Sequence, residues 1–116
     1  MSVLDKDQFD LVSIHQDGYV VLTISDHLEW DDDEEHILAL VSKINNYLDG
    51  IESGQFVAQY PGAEGKEIVI QIIAQFQPNN KGYEFLQEAS KTLQSAGYRL
   101  NIGFIQNGEI VIEEIA

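Results

Sequence analysis

The sequence predicts an α+β domain built as a two-layer sandwich, in which two helices pack on one face of a single, mostly antiparallel or mixed sheet. Three observations lead to this class. Several runs alternate apolar and polar residues as strands do, two longer segments have the apolar period of a helix, and Asp-Gly or Asn-Gly pairs separate strand-like runs. The predicted order is β-β-α-β-α-β-β, and 116 residues fit one domain spanning 1–116.

The first hairpin is predicted from two β-branched and aromatic runs, 9–16 and 19–25, which are joined by Asp17-Gly18. An Asp-Gly pair favours a two-residue type I′ turn, because both of its positions take positive φ. The resulting register pairs Leu11 with Ile24, Ser13 with Leu22 and His15 with Val20. The opposite face of the hairpin then carries Val12, Ile14, Tyr19, Val21 and Thr23.

Two amphipathic helices are predicted from apolar residues at i, i+3, i+4 and i+7. The first covers about 32–53, and Gly54 is the left-handed residue that follows its C-terminus. Its apolar stripe consists of Ile37, Leu40, Val41, Ile44, Tyr47, Leu48 and Ile51. The second helix begins at an asparagine N-cap within 78–80 and ends at Gly97. Its stripe consists of Tyr83, Leu86, Ala89, Leu93 and Ala96.

The remaining segments complete the sheet. Residues 54–65 are expected to form a loop pinned by Phe56 and Tyr60, and 67–76 has the pattern of a central strand. A second hairpin joins 98–105 to 109–115 through Asn107-Gly108. The open face of this sheet would be more apolar than usual, with Val12, Ile14, Val21, Val69, Ile73 and Ile105. A homodimer or another protein partner could cover such a face.

Composition limits the function classes. The formal net charge is −14, from six Lys and Arg against twenty Asp and Glu, which argues against nucleic acid and anionic membranes as partners. No cysteine is present, no apolar run is long enough to span a membrane, and the first residues have no signal-peptide pattern, so a cytoplasmic location is expected. The acidic surplus serves solubility, or it forms a surface that attracts a basic protein or mimics a nucleic acid, and these interpretations stay open.

The stretch 23–36 concentrates the chemically interesting side chains. The candidate residues for an interaction or a metal site are Asp26, His27, Trp30, Asp31, Asp32, Asp33 and His36. Asp31-x-x-Glu34 and Asp32-x-x-Glu35 also fit a capping box at the start of the first helix, and Trp30 is expected to fold over that start as a lid.

Known chemical signatures fit this stretch poorly. An EF-hand loop starting at Asp31 would have His36 where glycine is needed, and Ser42 where the bidentate glutamate belongs. Ser25-Asp26-His27 has the residue types of a hydrolase triad, but neighbours at a strand end point in alternating directions. No catalytic residue and no cofactor are therefore assigned.

Several segments resemble a known family. They are 22–30 (Leu-Thr-Ile-Ser-Asp-His-Leu-Glu-Trp), the acidic run with His36, 43–48 (Lys-Ile-Asn-Asn-Tyr-Leu) and 51–54 (Ile-Glu-Ser-Gly). Together they resemble a family of small, single-domain bacterial proteins that is catalogued only as a domain of unknown function. The resemblance covers most of the chain and is weaker after Gly97. It implies a bacterial cytosolic protein and brings no activity, cofactor or site residue.

The sequence thus favours a non-enzymatic, acidic protein-interaction module that dimerises and binds another protein through the acidic start of its first helix or through its open sheet face. An immunity-like role against a basic toxin is one concrete version. The alternative is a minor enzyme or a divalent-metal-binding protein that uses Asp26, His27, Asp31 and His36, since imidazole and carboxylate groups are common metal ligands.

Overall fold

The computed structural model describes residues 11–30 and 34–115. In this part of the chain the strands are β1 (Leu11–His15), β2 (Tyr19–Asp26), β3 (Glu67–Ala74), β4 (Arg99–Gln106) and β5 (Glu109–Glu114). The helices are α1 (Glu34–Glu52), the short α2 (Gln55–Gln59) and α3 (Asn80–Ser95), and a 3₁₀ turn covers Pro61–Ala63. None of these helices has the length and apolarity that a bilayer crossing requires.

The strands form one mixed sheet in the order β1-β2-β3-β4-β5. The three inner strands are parallel, and the two edge strands are antiparallel to their neighbours. The connections β2-α1-β3 and β3-α3-β4 both step in the same direction across the sheet. Because such crossovers are right-handed, both long helices lie on the same face, which confirms the predicted two-layer α+β architecture.

The core lies between the sheet and this helix layer. Alternate residues of the inner strands are buried, and in α1 and α3 the buried positions recur with helical spacing. The strand contribution consists of Val20, Leu22, Ile24, Ile68, Ile70, Ile72, Ala74, Leu100, Ile102 and Phe104. The predicted central strand is confirmed as β3, although Phe76 lies beyond its end and is 38% exposed.

The predicted register of the first hairpin is wrong by one residue. His15 pairs with Tyr19 and Ser13 with Val21, and the rings of His15 and Tyr19 stack with centroids 4.3 Å apart. Gly18 has a φ of 96° whereas Asp17 does not enter the left-handed region, so the loop has three residues instead of two. In consequence Val12 and Ile14 lie on the helix-covered face instead of the open face, and Val12 packs against the core.

The second predicted turn is confirmed. Asn107 and Gly108 have φ of 53° and 79°, and Gln106 pairs with Glu109 across them, as a two-residue type I′ turn requires. The loop predicted over 54–65 instead contains α2 and the 3₁₀ turn, and Phe56 within α2 is fully buried. The burial of Phe56, with Val57 packed against the core beside it, stabilises so short a helix.

Candidate functional site

The stretch 23–36 contains a buried histidine–carboxylate pair. Asp26 ends β2 and His36 lies in the first turn of α1, and both are nearly inaccessible to solvent. Nε2 of His36 is hydrogen-bonded to Oδ2 of Asp26, while Oδ1 of Asp26 accepts the Leu28 backbone N–H at 3.1 Å. Nδ1 of His36 lies 3.0 Å from the Glu29 carbonyl oxygen. Each polar atom of the two side chains therefore has a partner.

These partners determine the protonation of the pair. A carbonyl oxygen only accepts, so Nδ1 of His36 must carry a hydrogen. The contact between Nε2 and the carboxyl group of Asp26 then needs one further proton, held by either residue. The pair is neutral as a whole, which is the arrangement that burial of two titratable groups favours.

Trp30 covers this pair and joins it to α3. Its ring is tilted 39° against the ring of His36, with centroids 4.1 Å apart, so the lid predicted over the start of α1 is present. Its Nε1 donates to the Phe76 carbonyl oxygen at 2.9 Å. The Asn79 side chain donates to the Trp30 carbonyl oxygen at 2.9 Å and caps α3 by accepting from the Gly82 N–H at 2.8 Å.

Gly82 is required for this contact. A Cβ on Gly82 would lie 2.6 Å from a carbon of the Trp30 ring, which is closer than two carbon atoms approach. A closely packed cluster of side chains therefore connects the end of β2 with the starts of both long helices. We call it the Trp30 cluster, and it consists of Asp26, Trp30, His36 and Asn79.

Of the other predicted site residues, His27 alone lies in the described part of the chain. His27 is exposed, and it lines an open cleft with Ser25, Gln75 and Ile105. Asp31, Asp32 and Asp33, with the capping boxes that begin at Asp31 and Asp32, fall outside the described residues. The structure thus pairs Asp26 with His36, whereas the exposed His27 lines an open cleft that Asp26 also borders.

Within residues 11–30 and 34–115, no three His, Asp or Glu residues are placed to share a metal ion. Both nitrogens of His36 and both oxygens of Asp26 are already hydrogen-bonded. A metal could therefore use this pair only by displacing those bonds.

The burial of two polar residues of α1 was not predicted from the sequence. His36 and Lys43 both point into the core, and the Nζ of Lys43 lies 5.3 Å from the centroid of the Tyr47 ring. Their spacing of 36, 40, 43 and 47 is the core period of α1, with Leu40 and Tyr47 as the apolar members. This spacing could have indicated that His36 and Lys43 are buried. Polar residues are rarely expected at core positions, so their burial was not predicted.

A second candidate region is the open sheet face, which we define as the face of the sheet away from α1 and α3. Residues that the register places there include Ile73, Ile105, Ile110 and Ile112. Ile105, Ile110 and Ile112 are 50%, 60% and 53% exposed. A Cβ on Gly103 would meet Ile73 at 2.6 Å and Ile112 at 3.3 Å, so these two side chains close over that glycine. The four isoleucines form one continuous apolar patch.

Polar groups border this patch. At one end Arg99 donates hydrogen bonds to Glu67 at 3.3 Å and to Glu114 at 3.0 Å, and the bonds to Glu114 and Glu67 raise the pKa of Arg99. Oδ1 of Asn101 is buried on this face and has no hydrogen-bond partner among the described residues. A buried acceptor without a donor is unfavourable, so this oxygen lowers the stability of the fold.

Comparison with known proteins identifies the family. No curated protein and no solved structure matches the chain. One family model, described as a family of unknown function, matches residues 1–106, which confirms the resemblance seen in the sequence. The chain therefore belongs to the DUF6572 family.

Proposed function

We propose that this protein is a non-enzymatic interaction domain that binds a basic protein partner through its open sheet face. The observation that carries the proposal is the row of exposed isoleucines, Ile105, Ile110 and Ile112, on a face that α1 and α3 do not cover. Exposed apolar patches of this kind are typical of protein-binding surfaces, since water contact with them is unfavourable.

The charge of the chain supports a basic partner. A net charge of −14 attracts cationic surfaces over a distance of about 8 Å at physiological salt and increases the rate of encounter. The isoleucine patch then supplies the short-range contact. Asp31, Asp32 and Asp33 add to the attraction through their charge. An immunity-like role against a basic toxin is one concrete form of this function.

A second copy of this chain is the other occupant to consider, because a homodimer would also cover the patch. Two chains of charge −14 repel each other, so a dimer needs strong compensation from the apolar contact. We therefore favour the basic partner. A bacterial and cytoplasmic setting is part of the proposal, and the absence of cysteine is compatible with it.

The test is affinity capture from cells of the source organism, with the purified partner then titrated by calorimetry. The variant Ile105→Thr/Ile110→Thr/Ile112→Thr removes the patch while keeping residues of high β-propensity. The matched control is Leu38→Thr on α1, since Leu38 is 59% exposed but lies in the helix layer. The proposal expects a basic partner that the triple variant loses and the control retains.

Two further arms separate the contributions. Asp31→Lys/Asp33→Lys should weaken binding and reduce its salt dependence. Full binding by the triple variant would overturn the role of the open sheet face. Light scattering that shows a stable dimer, lost in the triple variant, would assign the face to a second copy instead.

A further inference from the structure

The free edge of β5 suggests how a partner reaches the open sheet face. Resting on the proposed function, we propose that the partner adds an extended, basic segment as an additional antiparallel strand along β5. β5 ends the strand order of the sheet, and within residues 11–30 and 34–115 no further strand pairs with its outer side. Strand addition of this kind uses main-chain hydrogen bonds for affinity and side-chain pockets for specificity.

The hydrogen-bonding groups of this edge can be assigned. The Ile115 N–H donates to the Leu100 carbonyl oxygen at 2.9 Å, so the backbone N–H and C=O of Ile115 point toward β4. In an antiparallel pair the inward and outward residues alternate. Ile110, Ile112 and Glu114 therefore direct their N–H and C=O groups outward, where an incoming strand can pair with them.

The outward residues also carry the exposed patch. Ile110 and Ile112 project from the open sheet face, and Ile112 packs beside Ile73 over Gly103. In an added strand, the side chains of the residues opposite Ile110 and Ile112 would also project from the open sheet face. Apolar residues at those two positions would extend the patch by one strand and remove its edge from water.

The charges of β5 determine the remaining positions. The strand contains Glu109, Glu113 and Glu114 and no Lys or Arg. Glu114 is bonded to Arg99, whereas Glu109 and Glu113 lie on the other face of the strand, more than half its length apart. Lysine or arginine opposite these glutamates is favourable in a cross-strand pair, and an acidic residue is not.

The same glutamates disfavour a second copy at this edge. In a two-fold pairing of β5 with a second copy, residues whose N–H and C=O groups point outward must lie opposite one another. Few registers meet this condition. The register centred on Val111 pairs Ile110 with Ile112 but also places Glu109 opposite the Glu113 of the second copy, twice. The register centred on Ile112 places Ile110 opposite Glu114. Neither matches apolar with apolar and opposite charges together, so a basic heterologous segment is the better occupant.

The probe for this proposal is the synthetic peptide Lys-Lys-Ile-Thr-Ile-Lys. In antiparallel orientation its first residue lies opposite Glu114 and its last opposite Glu109. Its third residue directs N–H toward Ile112, and its fourth directs N–H away from β5. N-methylation of the third residue removes a strand-pairing hydrogen bond, and N-methylation of the fourth is the matched control with the same composition.

The measurement is fluorescence anisotropy of each labelled peptide titrated with the full chain at low salt. The proposal expects binding of the parent peptide, a loss of at least about tenfold on methylation of the third residue, and near-unchanged binding on methylation of the fourth. Replacing the three lysines by glutamate should abolish binding. No binding of the parent peptide up to about 1 mM, or equal effects of the two methylations, would overturn strand addition.

A variant of the protein gives an independent check. Ile112→Pro removes an outward N–H that the ladder to β4 does not use, and proline is tolerated on edge strands. Ile112→Pro should weaken binding of the parent peptide more than Ile112→Thr does, because threonine keeps the backbone N–H. If Ile112→Pro and Ile112→Thr act equally while the captured partner still depends on the patch, strand addition fails and docking on the open sheet face stands.

Discussion

Replacing Asp26 and replacing His36 should change the free energy of unfolding by very different amounts. In Asp26→Asn the amide oxygen can accept the Leu28 N–H, and the amide N–H can donate to Nε2 of His36. Every hydrogen bond of the pair is preserved without the shared proton. We therefore expect a loss of about 1 kcal/mol or less in the free energy of unfolding.

His36→Leu should cost far more. It leaves the carboxyl group of Asp26 buried with only the Leu28 N–H as a partner, and removing one member of a buried pair costs about 3–5 kcal/mol. The double variant Asp26→Asn/His36→Leu no longer buries a carboxylate. Asp26→Asn should thus destabilise the wild type slightly but stabilise the His36→Leu variant, a reversal of sign that a double-mutant cycle measures directly.

The assay is urea unfolding followed by the fluorescence of Trp30, the single tryptophan of the chain. Its ring lies 4.1 Å from that of His36, so its emission reports the same region. Only variants with an unchanged m-value enter the comparison. A loss of 3 kcal/mol or more for Asp26→Asn would refute the protonation argument, as would a loss below about 1 kcal/mol for His36→Leu.

Three further predictions concern the Trp30 cluster. Asn79→Ala should lower the free energy of unfolding by about 1 kcal/mol or more by removing the cap of α3, with Asn80→Ala as the exposed control; equal losses would contradict the cap. Gly82→Ala should destabilise the protein and shift the emission of Trp30, because the ring clash outweighs the helix-propensity gain of about 1 kcal/mol; a more stable variant would refute this. Zn²⁺ or Mn²⁺ should not raise the Tm, since the buried pair is already bonded, and a rise abolished by His36→Gln would reveal a metal site.

The part of the site that escaped prediction depends on distant packing. Asp26 and His36 are ten residues apart and meet only because α1 turns back over β2. The contact of Trp30 with Gly82 spans a still longer separation, and nothing near either residue signals it. The open sheet face was predicted as apolar and Ile105 was among the predicted residues, but the exposed Ile110 and Ile112 of the edge strand β5 were not.

The sequence by itself determined the features that depend on a few neighbouring residues. Asn79 caps α3 because its side chain reaches the N–H three residues later, and Asn107-Gly108 makes its turn because both residues accept positive φ. The alternation of β3 likewise follows from its own side chains. The five strands and two long helices, their order and the two-layer α+β class were therefore accessible, whereas the short α2 was not.

Only the tertiary structure decided the register of the first hairpin, the strand order and the parallel inner sheet. Asp17-Gly18 is compatible with loops of two or three residues, and the burial of Val12 on the helix-covered face accompanies the longer one. The burial of His36 and Lys43 is of the same kind, since polar side chains enter a core only where distant groups bond or cover them. Local chemistry specifies the elements, and long-range packing chooses among the arrangements that those elements allow.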